Sequence, residues 1–330
     1  HNFDEKASSD SLFFADRESV VVFGGLDPHQ DYGNTGNTAR DIYRFKPSDN
    51  EWEFVGEMPE ARHHHSVVYL KGRIYLVGES KIPGLNPHRP FCYDPTTRVW
   101  FDEPAMLTAR KDFGLVVSGG KIALRSVEAF DPSDGAWREM RSMCTARIGP
   151  AAAKYRELIW VGGGMTKSKK EPITKEVECY DPLSNLWLRG ESLRSPRCLA
   201  AMYVVCDTMY VIGGASKTST NGAGITESID SVDVWDQKQR LWRQHGEISI
   251  ARHGHAVGSV GDQLLVIGGL TTIYKKSIKS VECYCCQSAK SIKGVSSLIK
   301  MSALTLATNF PTTPSGDKNK KIRKCVNCSR

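Results

Sequence analysis

The sequence predicts an all-β chain built as six blades, each of four short antiparallel strands, closed into a ring. Three observations carry that expectation. An apolar run leads into a double-glycine position six times, and the pair is intact at Gly24-Gly25, Gly163-Gly164, Gly213-Gly214 and Gly268-Gly269. A tryptophan follows each of the first five copies, at Trp52, Trp100, Trp137, Trp187 and Trp242. An Ala-Arg or Pro-Arg pair follows each tryptophan, ending at Arg62, Arg110, Arg147, Arg197 and Arg252; both markers advance by 48, 37, 50 and 55 residues. Two unrelated markers locked to one variable period define a structural repeat. Two copies depart from the glycine pair: the second reads Gly78-Glu79, and the third has Lys121-Ile122-Ala123-Leu124-Arg125 in its place.

Each repeat then divides into four strands. In the second copy these are 66–70, 73–77, 90–93 and 99–101, rich in β-branched and aromatic residues and bounded by Lys71-Gly72, Asp94-Pro95 and Glu57-Met58-Pro59. The glycines end the second strand, where a Cβ would obstruct a positive φ or a close backbone approach. The tryptophan has the bulk to fill the space between blades, and Asp-Pro turns the chain from the third strand to the fourth. A blade buries its faces only against its neighbours, so the ring has to close. The repeats run at about 18–60, 61–107, 108–143, 144–194, 195–249 and 250–286, after an N-terminal segment 1–17.

The run Val177-Glu178-Cys179-Tyr180-Asp181-Pro182 before Leu186-Trp187, after Val161-Gly162-Gly163-Gly164, resembles the kelch repeat. So do Ser126-Val127-Glu128-Ala129-Phe130-Asp131-Pro132 with Trp137, and Arg252-His253-Gly254-His255 with Val266-Ile267-Gly268-Gly269. The resemblance covers residues 18–284, and within the family the chain looks most like the kelch-like proteins and the actin-crosslinking scruins.

The ring is expected to break at its end. The sixth repeat opens as Ser280-Val281-Glu282-Cys283-Tyr284, but continues Cys285-Cys286-Gln287 without Asp-Pro, and no tryptophan follows. The last blade therefore reads as incomplete, and residues 287–330 as a disordered basic tail, either divergent or translated past a splice junction. Closure would come from 302–307 or, from the other end, from 12–15. The tail carries nine Lys or Arg against Asp317, a net of +8 out of +7 for the whole chain, so the propeller is near neutral and makes no case for nucleic acid. No apolar run approaches the length of a membrane span. The chain starts at His1 rather than Met, and we expect a fragment with another domain upstream. The ten cysteines lack the spacing of a disulfide framework and read as reduced thiols of a cytoplasmic protein, one that could associate with the cytoskeleton.

Zinc at Cys283, Cys285, Cys286, Cys325 and Cys328 is disfavoured, because the two groups lie far apart in sequence and no histidine joins them. Consecutive histidines His63, His64 and His65 on a strand point to alternating sides and cannot share one ion. We expect no metal and no cofactor. Neither a nucleophile elbow nor a phosphate-binding loop appears, so no enzyme is expected. Galactose oxidase shares the fold, but its copper-centre residues find no match here.

Binding is expected on the face where the loops after the second strands emerge: 27–38, 166–175, 215–228 and 271–279. The resemblance implies that adaptor-type kelch proteins hold short acidic or polar peptides there. The family positions just after the arginines fall at His64, Asp112, Gly149, Leu199 and Gly254, of which only His64 and Asp112 are polar. A ligand would instead use Lys167, Lys169, Lys170, Tyr274, Lys275 and Lys276, which otherwise are solvated loop residues. The recurring arginines read as scaffold, bonding loop carbonyls between blades. The resulting expectation is the substrate-recognition module of a cullin-type ubiquitin ligase adaptor, with BTB and BACK domains upstream and a homodimer made through them. The alternative is an actin-binding or actin-crosslinking cytoskeletal protein.

Overall fold

The computed structural model describes residues 20–26, 38–46, 49–80, 89–108, 113–118, 121–124, 128–218, 225–273, 276–278, 280–295 and 306–309. These form six four-stranded antiparallel sheets. Blade 2 runs from its inner to its outer strand as Arg62–Leu70, Arg73–Ser80, Phe91–Asp94 and Val99–Asp102. Blade 3 comprises Leu115–Ser118, Lys121–Leu124, Glu128–Asp131 and Ala136–Glu139. Blade 4 comprises Ala151–Tyr155, Leu158–Gly162, Val177–Asp181 and Leu186–Gly190, and blade 5 Ala201–Val205, Thr208–Ile212, Ser231–Asp236 and Leu241–Glu247.

Blade 6 corrects one expectation. It has all four strands: Ala256–Val260, Gln263–Ile267, Val281–Cys285 and Lys290–Val295. The fourth strand lies inside the stretch read as tail. Its two sequence signals are missing because other groups do their work. The turn closes with Ala289 at φ +56°, the same left-handed step that Arg98, Asn185 and Arg240 make in blades 2, 4 and 5, so it forms without Asp-Pro, and Ser291 pairs with Tyr284 where other blades place tryptophan. His245 from blade 5 covers the gap: its Nδ1 lies 2.7 Å from the Tyr284 hydroxyl.

Blade 1 closes the circle. Its outer strands Val20–Leu26, Thr38–Lys46 and Glu51–Glu57 are joined on the inside by Leu306–Asn309, antiparallel to Val20–Phe23. Closure thus comes from the C-terminal side, a few residues beyond the 302–307 anticipated; 12–15 lies outside the described residues. The inner strands touch in sequence around the axis, and the last, Ala256–Val260, packs on Leu306–Asn309, which packs on Arg62–Leu70.

The core is distributed between blades rather than placed at a centre. Val21, Phe23 and Ile42 of blade 1 pack on Ile74, Leu76 and Tyr93 of blade 2. The same arrangement recurs around the ring, ending with Leu265, Ile267 and Val281 of blade 6 on Val20, Val22 and Phe45 of blade 1. Each tryptophan lies across from the aromatic of its third strand, as in Tyr93–Trp100 at 4.7 Å and Phe130–Trp137 at 5.1 Å between ring centroids. In blades 3, 4 and 5 the indole N–H also ties the chain arriving from the previous blade: Trp137 donates to the Pro104 carbonyl, Trp187 to that of Arg141 and Trp242 to that of Glu191. The tryptophan therefore fills the inter-blade space and anchors the crossing.

Candidate functional site on the loop face

The recurring arginine and the glycine pair are two halves of one latch. In blades 2, 4, 5 and 6 the guanidinium of Arg62, Arg147, Arg197 or Arg252 donates to the carbonyl of Gly78, Gly163, Gly213 or Gly268, always 16 residues on. These bonds stay within one blade, which corrects the expectation that they run between blades. The backbone makes the inter-blade link: the N–H of Gly164 donates to the Arg197 carbonyl and that of Gly214 to the Arg252 carbonyl, each at 2.8 Å. The glycine pair follows from this approach. A Cβ on Gly213, at φ +56°, would stand 2.6 Å from the Arg252 carbonyl oxygen.

Each buried guanidinium meets a buried carboxylate: Arg147 meets Glu178, Arg197 meets Asp233 at 2.8 Å, and Arg252 meets Glu282. The same carboxylates receive N–H groups from the loop that enters the blade, Cys144 and Thr145 on Glu178 and Ser249 on Glu282. In blade 3, Glu128 receives Leu107 N–H. Sequence reasoning gave these acids no role. The signal was present: an acidic residue stands two before the third-strand aromatic at Glu128, Glu178, Asp233 and Glu282. Blade 2 has Phe91 at that position, and there Glu60 supplies the carboxylate while the Arg62 guanidinium lies 4.5 Å from the Phe91 ring centre.

At the mouth of the channel, Gly149, Leu199 and Gly254 all have left-handed backbones, with φ of +58°, +52° and +59°. Leu199 N–H donates to Gly149 O at 2.6 Å and Gly254 N–H to Leu199 O at 2.8 Å. These positions join blade to blade through backbone bonds and offer no cationic ring. His64 sits on the inner strand of blade 2, and Asp112 lies outside the described residues. Below the mouth, the inner strands enclose a channel of about 420 Å3 lined mostly by small and apolar groups such as Ala152, Ala200 and Val257, with Ser66, Lys154 and His255 among its few polar side chains.

Above the mouth, blades 4, 5 and 6 each raise a hairpin. In blade 4, Met165 bridges both Ile148 and Ile173, and Lys167, Lys169 and Lys170 stand exposed at the tip. A cleft of about 440 Å3 opens between this hairpin and the loop before the inner strand, lined by Cys144, Thr145, Thr166, Lys167, Glu171 and Glu176. Blade 5 raises Ala215–Thr218 with Ile225–Ser228, and blade 6 Leu270–Thr271 with Lys276–Ser277. The last two are stitched together: Ser228 N–H donates to Thr272 Oγ1 and Thr272 N–H to Ser228 Oγ, while His253 Nδ1 lies 2.9 Å from Ser228 Oγ. Lys276 is on a hairpin strand, paired to Thr271; Tyr274 and Lys275 lie outside the described residues. Among the described residues, no three His, Cys, Asp or Glu gather as metal ligands; Cys325 and Cys328 lie outside them. No helix of the described residues is long and apolar enough to cross a membrane.

Six four-stranded blades, latched at one face and closed by a strand from the far end of the chain, define a six-bladed β-propeller. The chain belongs to the kelch-repeat family. Kelch motif models match residues 61–107 and 251–292, the latter running into the fourth strand of blade 6. Alpha-scruin of Limulus polyphemus is 30% identical over 80% of this chain, and Beta-scruin of the same animal is 28% identical over the same share. Kelch-like protein 36 of Mus musculus is 24% identical over 72% of the chain. The chain spans 31% of the length of each scruin and 40% of that kelch-like protein. The solved structure of YjhT shares the fold, with a TM-score of 0.65, 16% identity, and coverage of 77% of this chain and 91% of that one.

Proposed function

We propose that the chain is a non-enzymatic protein-binding module that holds an acidic partner against the hairpins of blades 4 to 6, and that this partner is filamentous actin in a cytoplasmic, cytoskeletal setting. The observation that carries the reading is the arrangement of the loop face. The mouth positions Gly149, Leu199 and Gly254 are spent on backbone bonds between blades, while three adjacent hairpins stand above them with Lys167, Lys169 and Lys170 exposed. That geometry suits a broad protein surface better than a peptide threaded into the axis. The similarity to the scruins over 80% of the chain supports the same choice. A second reading, substrate recognition for a cullin-type ubiquitin ligase, is favoured by the similarity to Kelch-like protein 36 and by the 440 Å3 cleft, which has room for a short segment.

Co-sedimentation of the whole chain with actin filaments tests the first reading. Binding is expected to weaken as salt rises, since exposed charges are screened within about 10 Å at 0.1 M. Changing Lys167, Lys169 and Lys170 to Glu is expected to lower the bound fraction at least fivefold with the thermal transition unchanged. Unchanged binding by the triple variant, or binding lost only when 310–330 are removed, would assign the attraction to the basic end and reject the hairpin site. Absence of any co-sedimentation, with capture of a defined peptide in the cleft, would select the second reading.

A further inference from the structure

The six outer strands are the edges of the propeller, and exposed edges invite pairing unless something prevents it. Five of the six are defended. Glu51–Glu57 carries three glutamates and a break in register. Ala136–Glu139 is short and carries Arg138 and Glu139. Leu241–Glu247 and Lys290–Val295 combine charged residues with a register break. In blade 2, Val99 and Phe101 are 45% and 39% exposed, but the Arg73 guanidinium lies 5.1 Å from the Phe101 ring centre and the strand ends in a charge, Asp102, paired with Arg89 at 2.8 Å.

Blade 4 differs. Leu186–Gly190 pairs with its inner neighbour in unbroken register. One face of this edge shows Leu186 and Leu188, 40% and 50% exposed, and the turn before it holds Leu183 at 92%. Its single charge, Arg189, lies on the opposite face beside Trp187, with a side chain 83% exposed and only a loose 3.9 Å approach to the exposed Glu176 carboxylate.

We propose that this edge pairs antiparallel with the same edge of a second copy of the chain, about a two-fold axis through Leu188. The strand is complementary to itself in that register. Leu188 meets Leu188, and Leu186 falls opposite Gly190, where the missing side chain leaves room. On the other face Trp187 lies opposite Arg189, the arrangement of a cation over an indole. The two blade 4 sheets become one continuous eight-stranded sheet held by backbone bonds, with an isologous contact that closes at two copies. The contact is at the rim, so both loop faces stay free.

Analytical ultracentrifugation of the whole chain over a concentration series tests this. The expected result is a reversible monomer–dimer equilibrium. Leu188→Lys and, separately, Leu186→Lys should each weaken it at least tenfold, with unchanged circular dichroism, since both side chains already face solvent. Val99→Lys on blade 2 should leave it alone. Mixing Leu188→Lys with Leu188→Glu should restore a one-to-one pair, because position 188 faces itself. A chain that stays monomeric at every concentration overturns the proposal. So do a Leu188→Lys chain that pairs as well as the original, loss of pairing in Val99→Lys alone, and a mixture that fails to pair.

Discussion

At the scale of single residues, Arg252 shows how the repeat is held. It is fully buried, and burial lowers its pKa while Glu282 raises it. The guanidinium is kept charged by Glu282 and by the carbonyls of Gly268 and Ser280. Breaking one side of a buried ion pair is costly because the other charge is left without compensation. Glu282→Gln is therefore expected to destabilise the fold by about 3–5 kcal/mol, read as a lower denaturant midpoint. Three histidines of the same region are shifted in the same direction. Burial lowers the pKa of His245 and His253, and that of His255 to about 3, the last also repelled by Arg252 and His253. Below an unfolded-state pKa of about 6.5 the unfolded chain binds more protons than the folded one. Stability is thus full above that pH and falls progressively as the solution is acidified. His255→Gln should flatten the decline in thermal midpoint between pH 7 and pH 5, and an unchanged slope would remove His255 from the cause.

At the scale of elements, the blades reach one architecture by different substitutions. Blade 2 trades the third-strand acid for Phe91 and takes its carboxylate from Glu60. Blade 6 trades tryptophan for Ser291 and takes its cover from His245, whose ring lies 5.9 Å from that of Tyr284. Tyr284 is wholly buried, so its hydroxyl needs that partner. Tyr284→Phe is expected to cost about 1 kcal/mol and to speed hydrogen exchange in Lys290–Val295. Equal exchange in the two proteins would mean that packing alone holds the strand.

At the scale of the whole molecule, stability depends on closure. The inner strand of blade 1 comes from Leu306–Asn309, and without it Val20–Leu26 would become an edge facing the channel. Six inter-blade cores then lose the continuity that makes each depend on the next. Truncation after residue 300 is expected to lower the thermal midpoint, broaden the transition and expose dye-binding apolar surface. A truncated chain that melts as sharply and as high as the full one would show that the ring closes otherwise.

Residues that recur with a period are legible in the sequence by itself. Gly163-Gly164, Trp187 and Arg197 advance together, because every blade meets the same neighbour in the same way and the same contact must be rebuilt each time. The tertiary structure alone decided what those markers touch. Arg197 bonds to Gly213 through its side chain and to Gly164 through its backbone, partners 16 residues ahead and 33 behind. It also decided the two places where the pattern failed. The fourth strand of blade 6 lacks its signature because His245 replaces a tryptophan from another blade, and the closing strand carries no marker because backbone pairing needs none. The loop-face site lies between these cases: the lysines of 166–175 were visible as charge, but only folding sets that hairpin beside two others, above the backbone bonds that join blades 4, 5 and 6 at the mouth. Local repetition is written in the chain, whereas compensation between distant residues exists only once the ring has brought them together.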